Sequence, residues 1–175
     1  MDKLPVDYPT AERLRTGPDE VTVLATGEQT GGALFAVQIR MPPGGGPPVM
    51  HRHDPGEVYY VTSGEFTFYL GGADDPGRRR VTAGVGAVVP LAGGTPHTVR
   101  NESDRDAVAF VVHAPGAPME GFLRAVAALD GEPGMDEILA AAARTGIEML
   151  GPIPDVGPRD DTTVIRPTVE GVFNR

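Results

Sequence analysis

Glycine and proline interrupt this chain at short intervals, which limits it to short secondary-structure elements. The 175 residues include 24 glycines and 18 prolines, a share that is high for a helical protein and typical of short strands joined by tight turns. Eight apolar or alternating runs lie between these breakers, a number that suits a barrel or jelly roll. The predicted strands are residues 21–25, 33–41, 58–62, 66–70, 79–82, 87–91, 97–100 and 107–112.

Length and composition predict one all-β domain with additions at both ends. A chain of this length with 40% apolar residues can fill a single core and carry a small appendage. The predicted division is an N-terminal arm at residues 1–17, a β-barrel at 18–115, a helical appendage at 116–150 and an extended C-terminal tail at 151–175.

Helical periodicity is confined to the region after the barrel. Helices are expected over residues 119–129 and 136–144, with Gly146 ending the second. In the N-terminal arm, residues 11–15 are expected to form at most a short helical turn. Each C-terminal helix should pack on the barrel through one apolar stripe. The stripes comprise Phe122, Leu123 and Val126 in the first helix and Ile138 and Leu139 in the second.

Three of the four histidines fall in a pattern that can close around one metal ion. His51 and His53 share a face on an extended strand, Glu57 can return to that face after a turn, and His97 follows after a gap. Imidazole and carboxylate suit divalent Fe, Mn, Ni, Co or Zn, and the absence of cysteine removes thiolate ligands. The pattern predicts one divalent transition metal. His113 has no such neighbours and is expected to be structural or exposed.

The residues around these histidines resemble the two sequence motifs of the cupin superfamily. The first motif corresponds to Gly45-x5-His51-x-His53-x3-Glu57-x6-Gly64. The second corresponds to Gly84-x5-Pro90 followed by Gly94-x2-His97-x3-Asn101. The interval between Pro90 and Gly94 is longer than the usual Pro-x-Gly. The resemblance covers about residues 18–115.

Membership of that superfamily would imply a small β-barrel, also described as a jelly roll or double-stranded β-helix, with the metal inside. By this resemblance His51, His53, Glu57 and His97 would be the metal ligands, while Gly64 and Gly94 would be turn residues. Cupins that look like this one often pair through barrel strands. The resemblance therefore also implies a homodimer.

Single-domain bacterial cupins of this size resemble quercetinase-like flavonol dioxygenases, which bind an enolate to the metal and cleave an oxygenated ring with O2. By that resemblance Glu57 would be both a ligand and the proton acceptor. The same site without O2 could serve a lyase, an isomerase or a cyclase. A third alternative is a barrel that binds a small ligand without turnover. The sequence favours an enzyme with a small-molecule substrate, and fold alone does not choose among these reactions.

An apolar pocket is expected beside the metal. If Ser63 and Gly64 form a two-residue hairpin turn, four side chains on the paired strands share the face that carries Glu57. A cavity lined in this way would favour an aromatic or otherwise hydrophobic substrate, although the same side chains could instead fill the barrel. The candidate pocket residues are Tyr59, Val61, Phe66 and Phe68.

Charge and hydropathy argue against two classes of partner. A formal net charge of −9 and a pI near 4.8 disfavour nucleic acid, which is bound by clustered Lys and Arg. The one basic run, residues 78–80, follows two aspartates in a predicted hairpin loop and is expected to be solvated. No apolar run approaches the length of a membrane span, and the first residues lack a signal-peptide core. The expected location is the cytoplasm.

Overall fold

Two antiparallel sheets face each other across a shared apolar core. The computed structural model describes residues 6–129 and 133–155. The first sheet contains, in spatial order, β1 (Arg13–Thr16), β2 (Asp19–Ala25), β3 (Phe35–Met41), β10 (Ala107–Ala114), β5 (Gly56–Ser63) and β8 (Val88–Leu91). The second contains β11 (Glu148–Pro152), β4 (Val49–Arg52), β9 (His97–Arg100), β6 (Glu65–Leu70) and β7 (Arg79–Gly84). The predicted all-β fold class is confirmed.

Strand alternation decides which side chains enter the core. Along β10, every second residue is buried, beginning at Ala107 and ending at His113, while Phe110 between them is exposed. On the facing sheet, β6 places Phe66 and Phe68 on one face and buries both completely, with Thr67 between them also buried. The core is therefore filled from both sheets by residues that recur with period two.

Each of the eight predicted runs contains a strand, and three further strands were not among those runs. The helical turn expected over residues 11–15 is wrong, because Arg13–Thr16 pairs with β2 in a hairpin. Gly17, with a φ of 63°, and Pro18 form the tight turn that makes this pairing possible. The other two strands, β4 and β11, pair with each other in the second sheet. Residues 156–175, most of the predicted tail, lie outside the described residues.

The expected hairpin at Ser63 and Gly64 is also wrong. Strand β5 pairs with β10 and β8, whereas β6 pairs with β7 and β9, so the chain crosses from one sheet to the other at this turn. Gly64 has a φ of 66°, and a Cβ there would overlap the carbonyl oxygen of Asp106. Gly64 thus approaches the residue directly before β10 at the point where the chain leaves the first sheet.

The candidate pocket residues nevertheless meet inside the barrel, from opposite sheets. Tyr59 and Val61 come from β5, and Phe66 and Phe68 come from β6; all four are buried. The rings of Tyr59 and Phe68 lie 5.1 Å apart between centroids in an edge-on arrangement. These side chains pack against one another in the core.

Two helices follow the barrel, α1 (Ala117–Ala127) and α2 (Met135–Arg144). Helix α1 lies on β1 and β3 and buries Leu123 and Val126, in line with the predicted stripe. Helix α2 lies against α1 and β11, and its buried residues are Ala141 and Ala142. The predicted stripe of α2 is wrong at Leu139, which is 40% exposed.

Neither of these two helices, in the part of the chain that the structure describes, has the length and apolar character needed to cross a bilayer.

Asp19 is a buried carboxylate at the start of β2. Both of its carboxylate oxygens accept a hydrogen bond from the backbone N–H of Gly46, at 3.0 and 3.2 Å. Burial raises the pKa of Asp19 to about 6, against the lowering effects of the Gly46 N–H and of Arg100. At pH values between its unfolded and folded pKa, this carboxyl is therefore protonated in the folded chain and ionised in the unfolded chain.

The helix packing predicts a large difference between two leucine substitutions. Leu123→Ala should lower the free energy of unfolding by about 2–4 kcal/mol, because it opens a cavity against the core. Leu139→Ala, the matched control on the exposed side of α2, should change it by less than about 0.5 kcal/mol. Urea unfolding of both variants measures the difference. Equal losses would contradict the packing described for α1.

Asp19 predicts a pH-dependent contribution to stability. Its folded pKa lies above the unfolded value, so its contribution is fully present below about pH 4 and is lost as pH rises towards 6. Relative to Asp19→Asn, the wild type should lose about 1–3 kcal/mol of unfolding free energy between pH 4 and pH 7. Urea unfolding at intervals of half a pH unit measures this. If the difference in unfolding free energy between wild type and Asp19→Asn stays constant over this pH range, the prediction is wrong.

Candidate metal centre

Three buried histidines converge where the second sheet faces the first. His51 lies on β4, His53 follows directly after it, and His97 opens β9. In the antiparallel pair of β4 and β9, His51 stands opposite His97, and their ring centroids are 4.5 Å apart. One potential ligand atom from each of the three histidines lies within 4.8 Å of the others. The three histidines predicted as ligands are thus brought together.

Local backbone carbonyls set the orientation of two of these rings. Nδ1 of His53 lies 2.9 Å from the carbonyl oxygen of Pro55, and Nδ1 of His97 lies 2.8 Å from that of Thr95. A neutral imidazole that donates from Nδ1 carries its lone pair on Nε2. Nε2 of His53 is buried without a hydrogen-bond partner, and Nε2 of His97 is buried facing the Glu57 carboxylate. The backbone therefore prepares both rings as Nε2 ligands.

Glu57 approaches the histidines from the first sheet. Its Oε1 lies 2.6 Å from Nε2 of His97 and 3.8 Å from Nε2 of His53. Its Oε2 lies 3.1 Å from Nδ1 of His113. Burial alone would raise the pKa of Glu57, but contact with His113 and His97 outweighs burial and holds that pKa well below its usual range. The carboxylate is ionised and in contact with imidazoles through both oxygens.

Burial keeps two of the imidazoles neutral. It lowers the pKa of His51 to about 3, an effect that the neighbouring His97 reinforces, and it lowers the pKa of His53. His97 differs: burial alone lowers its pKa, but the Glu57 carboxylate outweighs burial and raises it. The neutral rings of His51 and His53 are in the form that binds metal. The negative charge of the Glu57 carboxylate favours a positive charge beside these rings.

The residues present fit a divalent transition metal. Among the residues that the structure describes, seven buried side-chain nitrogen or oxygen atoms lack a hydrogen-bond partner, and six of them lie in this one cluster. A buried polar atom without a partner costs about 1–3 kcal/mol, so such a concentration calls for a ligand. Imidazole and carboxylate donors suit Mn, Fe, Co, Ni and Zn alike. The cluster comprises His51, His53, Glu57, His97 and His113.

His113 is the site residue that the sequence reasoning did not assign. It is 1% exposed, which leaves the structural role of the two that were expected, and it stands directly opposite Glu57 in the pair of β10 and β5. The sequence did hold a signal for this position. Ala107, Ala109 and Val111 alternate towards the core, and His113 continues that series on the same face.

The long interval between Pro90 and Gly94 shapes the ligand turn. The backbone N–H of Gly94 donates to the carbonyl oxygen of His53 at 2.8 Å. A Cβ at Gly93 would overlap the carbonyl oxygen of Asp54, so only glycine fits that position. The extra residues of this loop therefore lie against the segment that carries His53 and hold its backbone.

A polar cavity of about 320 Å³ lies beside the site, and His53 is the residue of the cluster that lines it. Arg52 and Glu148 at its rim form an ion pair at 2.7 Å, and Asp54, Gly94 and Gly146 complete the lining. A second cavity, of about 470 Å³, lies next to it between α2 and β11. Neither cavity is lined by Tyr59, Val61, Phe66 or Phe68. Their role as pocket residues stays a prediction.

Comparison with known proteins supports the cupin resemblance over the central part of the chain. Residues 37–113 match the family model described as the cupin domain. No curated protein sequence matches the chain. The matched segment contains all four histidines and both of the motifs described above.

Solved structures share this fold at low sequence identity. A structure described as a predicted oxalate decarboxylase from Thermotoga maritima is 22% identical, with a TM-score of 0.54; the match covers 63% of this chain and 98% of that one. A variant of oxalate decarboxylase from Bacillus subtilis is 18% identical, with a TM-score of 0.52, over 63% of this chain. The match spans only 29% of the Bacillus subtilis chain. These similarities show the fold.

The histidine cluster predicts metal binding that depends on the ring of His97. Wild-type protein should take up about one Co(II) or Mn(II) per chain, because the donor atoms converge on one point. His97→Ala should weaken binding by at least about 10- to 100-fold, the loss typical of even an outer-shell partner. Thr98→Val, the control, alters the next residue on β9, a buried threonine whose hydroxyl donates to the carbonyl oxygen of Pro47 and not to the histidines. Isothermal titration with each ion measures the affinities, and equal affinity of wild type and His97→Ala would contradict the site.

Proposed function

We propose that this cupin domain belongs to a metal-dependent enzyme that acts on a small, enolisable or aromatic organic molecule, and that the reaction is a dioxygenation. One observation carries the proposal. Three buried histidines with convergent ring nitrogens lie against an ionised carboxylate, and one of them, His53, lines a cavity. A purely structural cluster would have no use for the cavity.

His51, His53 and His97 would hold the ion, with Glu57 beside it as a fourth ligand. A divalent ion bound there would act as a Lewis acid towards a substrate oxygen. The Bacillus subtilis oxalate decarboxylase, which shares the fold, is described as having Mn(II) centres. That description supports testing manganese alongside iron, cobalt, nickel and zinc.

Glu57 is placed to accept a proton from the substrate. Its carboxylate stays ionised at neutral pH because His113 and His97 stabilise the negative charge. Oε1 faces the ring nitrogens of the ligands, and Oε2 is held by His113. An enolisable substrate that enters beside His53 would bring its acidic hydrogen towards Oε1. A positioned base of this kind contributes about 10²- to 10⁴-fold in rate.

The cavity supports a small substrate that carries polar oxygen groups. Its volume of about 320 Å³ lies at the lower end of the roughly 300–1,000 Å³ usual for ligand pockets. The lining is charged at Arg52, Asp54 and Glu148. Phenols and 1,3-dicarbonyl compounds combine a compact carbon skeleton with such groups.

A non-redox lyase, isomerase or cyclase is the second candidate. It is favoured by the contact between Oε1 of Glu57 and Nε2 of His97 at 2.6 Å, a carboxylate–imidazole pair that can accept and return a proton without an oxidant. Oxygen consumption during turnover separates the two candidates. Stoichiometric O2 uptake supports the dioxygenase, and product formation under strict anaerobiosis supports the non-redox enzyme.

The proposed base predicts a separation of metal binding from turnover. Chains loaded separately with Fe(II), Mn(II) and Ni(II) would be screened against phenols and 1,3-dicarbonyl compounds with an oxygen electrode and product chromatography. With a substrate found in this way, Glu57→Gln should keep most of its metal and lose about 10²- to 10⁴-fold in kcat, because the amide cannot accept the proton.

Glu65→Gln, the matched control, makes the same carboxylate-to-amide change at an exposed position and should leave kcat unchanged. If Glu57→Gln retains full activity, Glu57 is not the base. If wild-type protein with bound metal turns over no compound in the screen but binds some of them, a binding function replaces the enzymatic one.

A further inference from the structure

The geometry points to His113 as a positioning residue that fixes the Glu57 carboxylate relative to the three ligand histidines. This inference rests on the proposed function, because the carboxylate matters only where a metal and a substrate meet it. His113 belongs to neither motif of the cupin resemblance and lies outside the cluster of three histidines.

The backbone places His113 opposite Glu57. The two residues are partners in the antiparallel pair of β10 and β5, and the register runs without a shift from Ala109 to Ala114 of β10. Their side chains leave the same face of the sheet next to each other. The two strands therefore determine that this imidazole and this carboxylate meet.

The two carboxylate oxygens of Glu57 contact different histidines. Oε2 lies 3.1 Å from Nδ1 of His113, while Oε1 lies 2.6 Å from Nε2 of His97. An Nδ1–H that donates to Oε2 fixes the rotation of the carboxyl group about its terminal bond. Fixing that rotation directs Oε1 towards the ring nitrogens that would hold the metal.

The ring of His113 has little freedom to leave this position. Phe35, itself fully buried, stacks on it with 6.2 Å between centroids and 23° between planes. His53 meets it edge-on, with 6.4 Å between ring centroids. Because the ring is held between these neighbours, its donor to Glu57 is held as well.

A stability role does not explain a histidine here. Nδ1 of His113 faces Oε2 of Glu57 at 3.1 Å, while Nε2 is buried without a hydrogen-bond partner among the described residues. The preceding inward-facing residues of β10 are Ala107, Ala109 and Val111, all apolar. An apolar residue at position 113 would continue this series and would avoid the free-energy cost of a buried polar atom without a partner. The histidine is therefore retained for what its N–H does to Glu57.

The test compares two substitutions of His113 with Co(II) as the only probe. His113→Phe keeps a ring against Phe35 and removes the donor, whereas His113→Asn places an amide N–H where Nδ1 was. A positioning role predicts that His113→Phe weakens Co(II) binding by about 10- to 100-fold and changes the visible d–d spectrum. His113→Asn should restore the wild-type spectrum and bring the affinity to within about threefold of wild type.

A double-mutant cycle shows whether the effect runs through Glu57. In a Glu57→Ala background, His113→Phe should cause no further loss of Co(II) affinity, because the carboxylate it positions is gone. Losses that simply add would overturn the inference. If His113→Phe does not fold, His113→Leu takes its place, since leucine has the shape of asparagine and no donor.

The remaining outcomes separate this inference from the metal site itself. Failure of the wild-type chain to bind Co(II) overturns both. If wild type binds Co(II) and His113→Phe binds it with the same affinity and spectrum, only the positioning role is overturned. This holds even if His113→Phe has a raised melting temperature. Imidazole ¹⁵N spectra of the Zn(II)-loaded wild type need no variant: a proton on Nδ1 of His113 supports the role, and a bare Nδ1 overturns it.

Discussion

The site depends on the registers of two antiparallel strand pairs. In one sheet His51 stands opposite His97, and in the other Glu57 stands opposite His113. Each pair is a single rung of its ladder, and the two rungs face each other across the core. Because side chains alternate along a strand, a slip of one residue in either pair would turn its side chains to the outer face. The chemistry is thus set by backbone pairing before any side chain makes a contact.

Residue patterns predicted the all-β class and most of the strands, because each buried strand carries its own period of two. They did not predict which strands pair. The Ser63–Gly64 turn has the local signature of a hairpin, and only the approach of Gly64 to Asp106, 42 positions along the chain by residue number, shows that the chain changes sheets. The residue types within a segment do not show which distant strand it pairs with. For that reason the residues of β11 were predicted to belong to the appendage and the tail.

The three histidine ligands could be predicted because they sit in short motifs, whereas His113 could not be assigned in that way. Its relation to Glu57 is a contact between strands that are 56 positions apart in the sequence. The alternation along β10 directs His113 inward, but only the register shows what it meets there. The polar lining of the cavity was hidden for the same reason, since Arg52 and Glu148 come together only through the pairing of β4 with β11.

Strand β11 has a consequence for how the chain is made. It occupies the edge of the second sheet beside β4, the strand that carries His51. Arg52 and Glu148 are 96 residues apart, so at about 5–20 residues per second a ribosome needs roughly 5–20 s to deliver the partner of β4. Through that interval the N–H and C=O groups on one side of β4 remain open to strands from other nascent chains. Once β11 has paired, that side of β4 is covered.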